Sequence, residues 1–113
     1  MARHLCLTRD CLGLETRIEC AIRPLAGERG LWTLLCVAGM ARSQPSAIKA
    51  QGPFPGPLAA EAVLLAIAEN LRALGYAESL EPPIWRLHMQ AQLRRLNAER
   101  APHRGDYQFR PDT

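Results

Sequence analysis

From Leu14 to Leu25 apolar and polar side chains alternate: Leu14, Thr16, Ile18, Cys20 and Ile22 fall on one side of an extended chain, and Glu15, Arg17, Glu19 and Arg23 on the other. Successive strand residues point to opposite faces, so this is the pattern of an antiparallel strand with one packed and one wet face. Pro24 ends it, and Ala26-Gly-Glu-Arg-Gly30 brings the turn glycines of a hairpin. The returning stretch, Leu31 to Met40, is apolar on both faces, which predicts a central strand with cover on each side. After the polar loop Arg42 to Ser46, a weaker third strand is expected at Ala47 to Gln51.

Near residue 56 the pattern changes period. Gln51-Gly-Pro-Phe-Pro-Gly-Pro57 is too rich in glycine and proline for regular structure and reads as a loop presenting Phe54 at a rigid turn. Pro57 opens a helix running to Leu74, because a first helical residue needs no N–H. Val63, Ile67, Leu71 and Leu74 make its apolar stripe, Glu61, Glu69 and Arg72 face away, and Gly75 ends it. A second helix is expected from Pro83 to Arg100, with Trp85, Met89, Leu93 and Leu96 in one narrow arc and Arg86, Gln90, Arg94 and Asn97 opposite. Residues 102–113 read as a polar tail.

These elements predict one α+β domain over residues 1–101: an antiparallel meander of two to three strands, followed by two C-terminal helices packed on the sheet, mainly on one face. The core is expected from Leu14, Ile18, Cys20, Ile22, Trp32, Leu34, Val63, Ile67, Leu71, Trp85, Met89 and Leu96. With 113 residues there is room for a single core. The two-sided apolar strand and the wide apolar arc of the first helix exceed what two layers cover, which predicts a homodimer.

The net charge of +3 is far below that of a dedicated nucleic-acid binder. Thirteen of the fourteen basic residues are arginine, Lys49 being the only lysine, a bias that reads as the codon usage of a GC-rich bacterial genome. The first ten residues lack the apolar run of roughly seven or more that a signal peptide carries. No apolar segment approaches the ~18 residues of a membrane span. A cytoplasmic, reducing compartment is therefore expected, with the four cysteines as thiols.

Candidate chemistry is sparse. Cys6, Cys11, Cys20 and Cys36, with His4, lack the close pairing of a structural zinc site, so neither metal nor cofactor is expected. His4, His88 and His103 have no nucleophile or acid at recognisable local spacing, and no enzymatic activity is predicted. A cleft joining His88 to Cys36 or Glu81 would reopen that question.

Two local resemblances accompany this pattern. Gln51-Gly-Pro-Phe54, followed by Ala59-Ala-Glu-Ala62 and Leu71-Arg-Ala-Leu-Gly-Tyr76, resembles one half-repeat of the SPOR domain, a peptidoglycan-binding module, over about 26 residues. A SPOR domain repeats strand, helix, strand, whereas here a hairpin precedes the motif and a proline-started helix follows it. Three strands followed by a helix bearing Ala-Ala-Glu-Ala also look like the second half of a double-stranded RNA-binding domain. That family reaches phosphates with lysines at the helix start, where this chain has Pro57-Leu-Ala-Ala-Glu-Ala62.

The function expected is that of a small cytoplasmic binding or adaptor module, regulatory in kind, with a protein partner. Phe54 would anchor it, with arginines at the rim. The alternative is nucleic-acid binding through Arg86, Arg94, Arg95 and Arg100 on the basic face of the C-terminal helix.

Overall fold

Five strands, not two or three, build the sheet. The computed structural model describes residues 3–27 and 30–100, of Arg100 the backbone only; the expected tail lies outside the described residues. In chain order the elements are β1 His4–Cys11, β2 Leu14–Pro24, β3 Trp32–Met40, β4 Ala47–Phe54, α1 Pro57–Ala73, β5 Ala77–Glu78 and α2 Arg86–Arg100. The sheet is antiparallel throughout, in the order β4-β3-β2-β1-β5.

Each added strand has a physical reason. β1 carries only a short mixed alternation, but it offers β2 an eight-residue ladder from His4↔Ala21 to Cys11↔Leu14. β4 continues through Gln51-Gly-Pro-Phe54, the segment expected to be irregular. An edge strand has only one side to pair, so it tolerates a proline, and the ladder steps from Leu34↔Gln51 to Trp32↔Phe54 with a shift in register. β5 pairs only Ala77 and Glu78 with Thr8 and Leu7, too short for a sequence pattern. β4 and β5, which flank α1 in sequence, lie at opposite edges of the sheet.

The helices sit on opposite faces, which corrects the expected packing on one. On the first face Cys20, Ile22 and Leu34 meet Ala60 and Leu64 of α1. On the second, Ala21, Leu35 and Val37 meet Trp85 and Met89, with Leu93 and Leu96 at the margin. β3 requires this arrangement: Leu34 and Leu35 are adjacent, point oppositely and are both fully buried, each contributing about 1.5–3 kcal/mol on burial. β3 is thus covered on both faces within the chain, whereas α1 and its end keep Leu58, Leu65 and Leu74 exposed.

α1 is rotated from the expected stripe. Its buried positions are Ala60, Glu61, Leu64 and Ala68, and Leu74 is 62% exposed. Ala60 and Ala68 let the helix backbone approach the sheet, which larger side chains would prevent. Glu61, expected to face solvent, is instead buried beside Arg3 at 3.3 Å. Gly75 does end the helix as expected: at φ +98° it donates to Arg72 O while Tyr76 donates to Leu71 O, the paired bonds of a Schellman cap. Leu14, expected in the core, is 58% exposed at the end of the sheet.

Candidate functional site

The expected wet face of β2 is where the structure departs furthest from the sequence reading. Arg17 and Glu19 do share the face opposite Ile18 and Cys20, but the expectation that this face is solvated is overturned for both, and of Glu15, Arg17 and Glu19 only Glu15 remains outside. Arg17 and Glu19 are buried, at 2% and 0% exposure, because the segment leading into α2 crosses over them. The Glu19 carboxylate accepts from Arg17 Nε at 2.6 Å and from the backbone N–H groups of Ile84 at 2.8 Å and Trp85 at 3.1 Å. Arg17 also donates to the Glu81 carboxylate at 3.2 Å and to the Pro82 carbonyl at 2.8 Å.

This explains why α2 begins at Arg86 and not at Pro83. Residues 81–85 are irregular, with bends at Glu81 and Ile84, and the last two of their N–H groups are fixed on a carboxylate. Trp85 then tucks its ring against Leu35 and Val37, with its indole N–H donating to Ser43 O at 2.9 Å. Burial pulls the Arg17 guanidinium down, but its bond to Glu19 and the nearby negative groups hold it above the ordinary arginine value, so it stays charged. Cys6, opposite Glu19 on β1, is raised by burial, against a lowering influence of the Arg17 charge; its thiol stays protonated.

A groove of about 740 Å³ opens beside this network, lined by Glu15, Arg17, the 41–44 turn, Glu81, Ile84, Trp85 and His88. Its floor is fixed by the bonds just described. Next to the 41–44 turn, Gly39 lets the chain pack closely on β3: a Cβ there would lie 2.9 Å from Ser46 N and 3.0 Å from Pro45 Cα. Three apolar side chains stand exposed along the 80–87 segment, Leu80 at 95%, Ile84 at 48% and Leu87 at 74%.

His88 and Glu81 do share this groove, the juxtaposition that reopens the enzymatic question. Their partners are conformational: His88 Nε2 meets Gln44 Oε1 at 2.9 Å, and Glu81 holds Arg17. Among the described residues no hydroxyl or thiol hydrogen-bonds to His88. Cys36 lies on the other face of the sheet, opposite Cys20. No group of three or more His, Cys, Asp or Glu among the described residues is placed to hold a metal ion.

The residues singled out from sequence lie apart from the groove. Phe54 ends β4 opposite Trp32, half-buried against the α1-side core, and is not presented outward. Arg86, Arg94 and Arg95 are exposed on α2, Arg95 donating to Gln92 at 2.7 Å; the Arg100 side chain is outside what is described. Arg17, Glu19, Glu81 and Trp85 were missed as a unit. Their available signal was Arg17 and Glu19, opposite charges two residues apart on one strand face, together with Pro82-Pro83, which disfavours helix in the segment that covers them.

One protein-family model, described as PA4575-like protein, matches residues 1–113. No curated protein and no solved structure matches the chain. Among the described residues no helix is long and apolar enough to cross a membrane.

Proposed function

We propose for this chain, which belongs to the PA4575-like protein family over its whole length, the role of a small cytoplasmic, non-enzymatic module that binds another protein through the groove beside Arg17 and Trp85. The observation that carries this reading is an apolar edge on a fixed frame. Leu80, Ile84 and Leu87 are exposed on a segment whose backbone is tied to the buried Glu19 and Arg17 side chains. Pre-ordered apolar side chains bind with less entropic loss than mobile ones. Glu81, Gln44 and Arg42 at the rim offer polar contacts around that edge. Phe54, packed against Trp32, serves this partner less well than Ile84 and Leu87.

The second reading, nucleic-acid binding, rests on Arg86, Arg94 and Arg95, exposed along α2. A pull-down from native lysate with and without nuclease separates the two, comparing wild type, Ile84→Ser/Leu87→Ser and Arg94→Glu/Arg95→Glu. Retention of a partner through nuclease treatment, with loss in the apolar double variant alone, is the expected result. Loss on nuclease treatment and in the arginine variant, with the apolar variant unaffected, transfers the function to nucleic acid. A homodimer through the same apolar edge is included in the proposal; a monomer at micromolar concentration in sedimentation equilibrium removes it.

A further inference from the structure

Of the four cysteines, two face each other. Cys20 and Cys36 are direct partners across β2 and β3 on the α1 side of the sheet, in a row that runs Lys49, Cys36, Cys20, Leu5 from β4 to β1. Cys6 points to the opposite face, beside Glu19, and Cys11 is exposed at the end of β1. Directly opposed antiparallel residues have Cβ atoms about 4.5–5.5 Å apart. A disulfide needs about 3.5–4.5 Å, so closure asks for a shift on the order of an ångström in the pairing.

We propose that Cys20 and Cys36 are an oxidation-responsive dithiol, in which Cys36 reacts with a hydroperoxide and Cys20 resolves the product into a disulfide between β2 and β3. Their surroundings differ in the way these roles require. Cys36 is partly exposed and next to the Lys49 ammonium, whereas Cys20 is 1% exposed beneath α1. The hydrogen bond from the Cys20 thiol lowers Cys36 from the ordinary thiol value, with Lys49 adding to this and burial opposing it. The same bond and burial raise Cys20, so the proton stays there. A thiolate is the reacting form, which selects Cys36 for the first step.

In that step the Cys36 thiolate attacks one peroxide oxygen. An S–O bond forms, the O–O bond breaks, the sulfur is oxidised by two electrons, and the alkoxide or hydroxide released takes up the proton that Cys36 had lost. In the second step the Cys20 sulfur attacks the Cys36 sulfenic acid. An S–S bond forms, the S–O bond breaks, and the departing hydroxide leaves as water with the Cys20 proton.

The sequence makes this measurable, since trypsin places each cysteine in its own peptide. Residues 18–29 hold Cys20, the Arg23–Pro24 bond being resistant, and residues 30–42 hold Cys36. The full-length reduced protein is treated with equimolar hydrogen peroxide and mapped without reduction. The expected result is a chain without intermolecular disulfides whose free thiols fall from four to two, with peptides 18–29 and 30–42 joined. Before oxidation, Cys36 should alkylate at least about tenfold faster than Cys6. In Cys20→Ala the Cys36 sulfenic acid should persist and be trapped by dimedone, and in Cys36→Ser the cross-link should vanish. Thiol loss explained by intermolecular Cys11 pairing, without the 18–29 to 30–42 link in wild type, overturns the proposal and needs no variant to fold.

Discussion

Removing the Glu19 carboxylate should free the leading end of α2 from the sheet before the rest of the fold is lost. In Glu19→Ala three accepted bonds disappear together: Arg17 Nε at 2.6 Å and the N–H groups of Ile84 and Trp85 at 2.8 and 3.1 Å. Arg17, only 2% exposed, keeps its charge, and its remaining anionic partner, Glu81, is 72% exposed and so a weak one. Deleting one member of a buried ion pair costs about 3–5 kcal/mol, a large part of a total stability of about 5–15 kcal/mol. The cost of Arg17→Met should be smaller, because Glu19 keeps its two backbone donors. The double variant Arg17→Met/Glu19→Ala should cost less than the sum of the two, with a coupling of about 2–3 kcal/mol. No unpaired charge is left in it, only two N–H groups at about 1–3 kcal/mol each if they stay dry. Urea unfolding followed by far-ultraviolet circular dichroism measures these differences. Tryptophan fluorescence in a Trp32→Phe background reports Trp85 alone, and in Glu19→Ala it should shift red at lower urea than the helix signal is lost. A Glu19→Ala cost under about 1 kcal/mol, or additivity of the two changes, would refute the idea that this pair docks α2.

Two further outcomes follow from local geometry and charge. Gly39→Ala should destabilise by about 1–3 kcal/mol, since its methyl meets backbone atoms of Pro45 and Ser46, which cannot rotate away; thermal unfolding near wild type would contradict this close backbone contact. Stability should also fall in alkali partly through Cys6. Its folded value is raised by burial, so the unfolded chain binds fewer protons once the pH passes the ordinary thiol value of 9.0, and stability declines from there until the folded value is reached. That decline is at most about 1.4 kcal/mol per pH unit for one thiol, and Cys6→Ala should flatten the denaturation profile by that share.

Local rules fixed much of the framework without any structure. Alternation set the faces of β2, since neighbouring strand residues must point oppositely. The unbroken apolar run of β3 called for two covers. The 3.6-residue period put Trp85, Met89, Leu93 and Leu96 on one side of α2, and a glycine able to take a positive φ marked the end of α1. Each of these depends on residues within a turn or a strand of one another. What covers a face does not. Glu15, Arg17, Glu19 and Arg23 have the composition of a solvated strand face, and only the return of residues 81–85, more than sixty positions later, turned two of them into a buried anchor for α2. The same holds for the groove, the opposed thiols and the inward turn of Glu61, which exist because strands and helices distant in sequence were brought into register. Periodicity reports which side chains share a face, whereas burial is decided by the partner that arrives there.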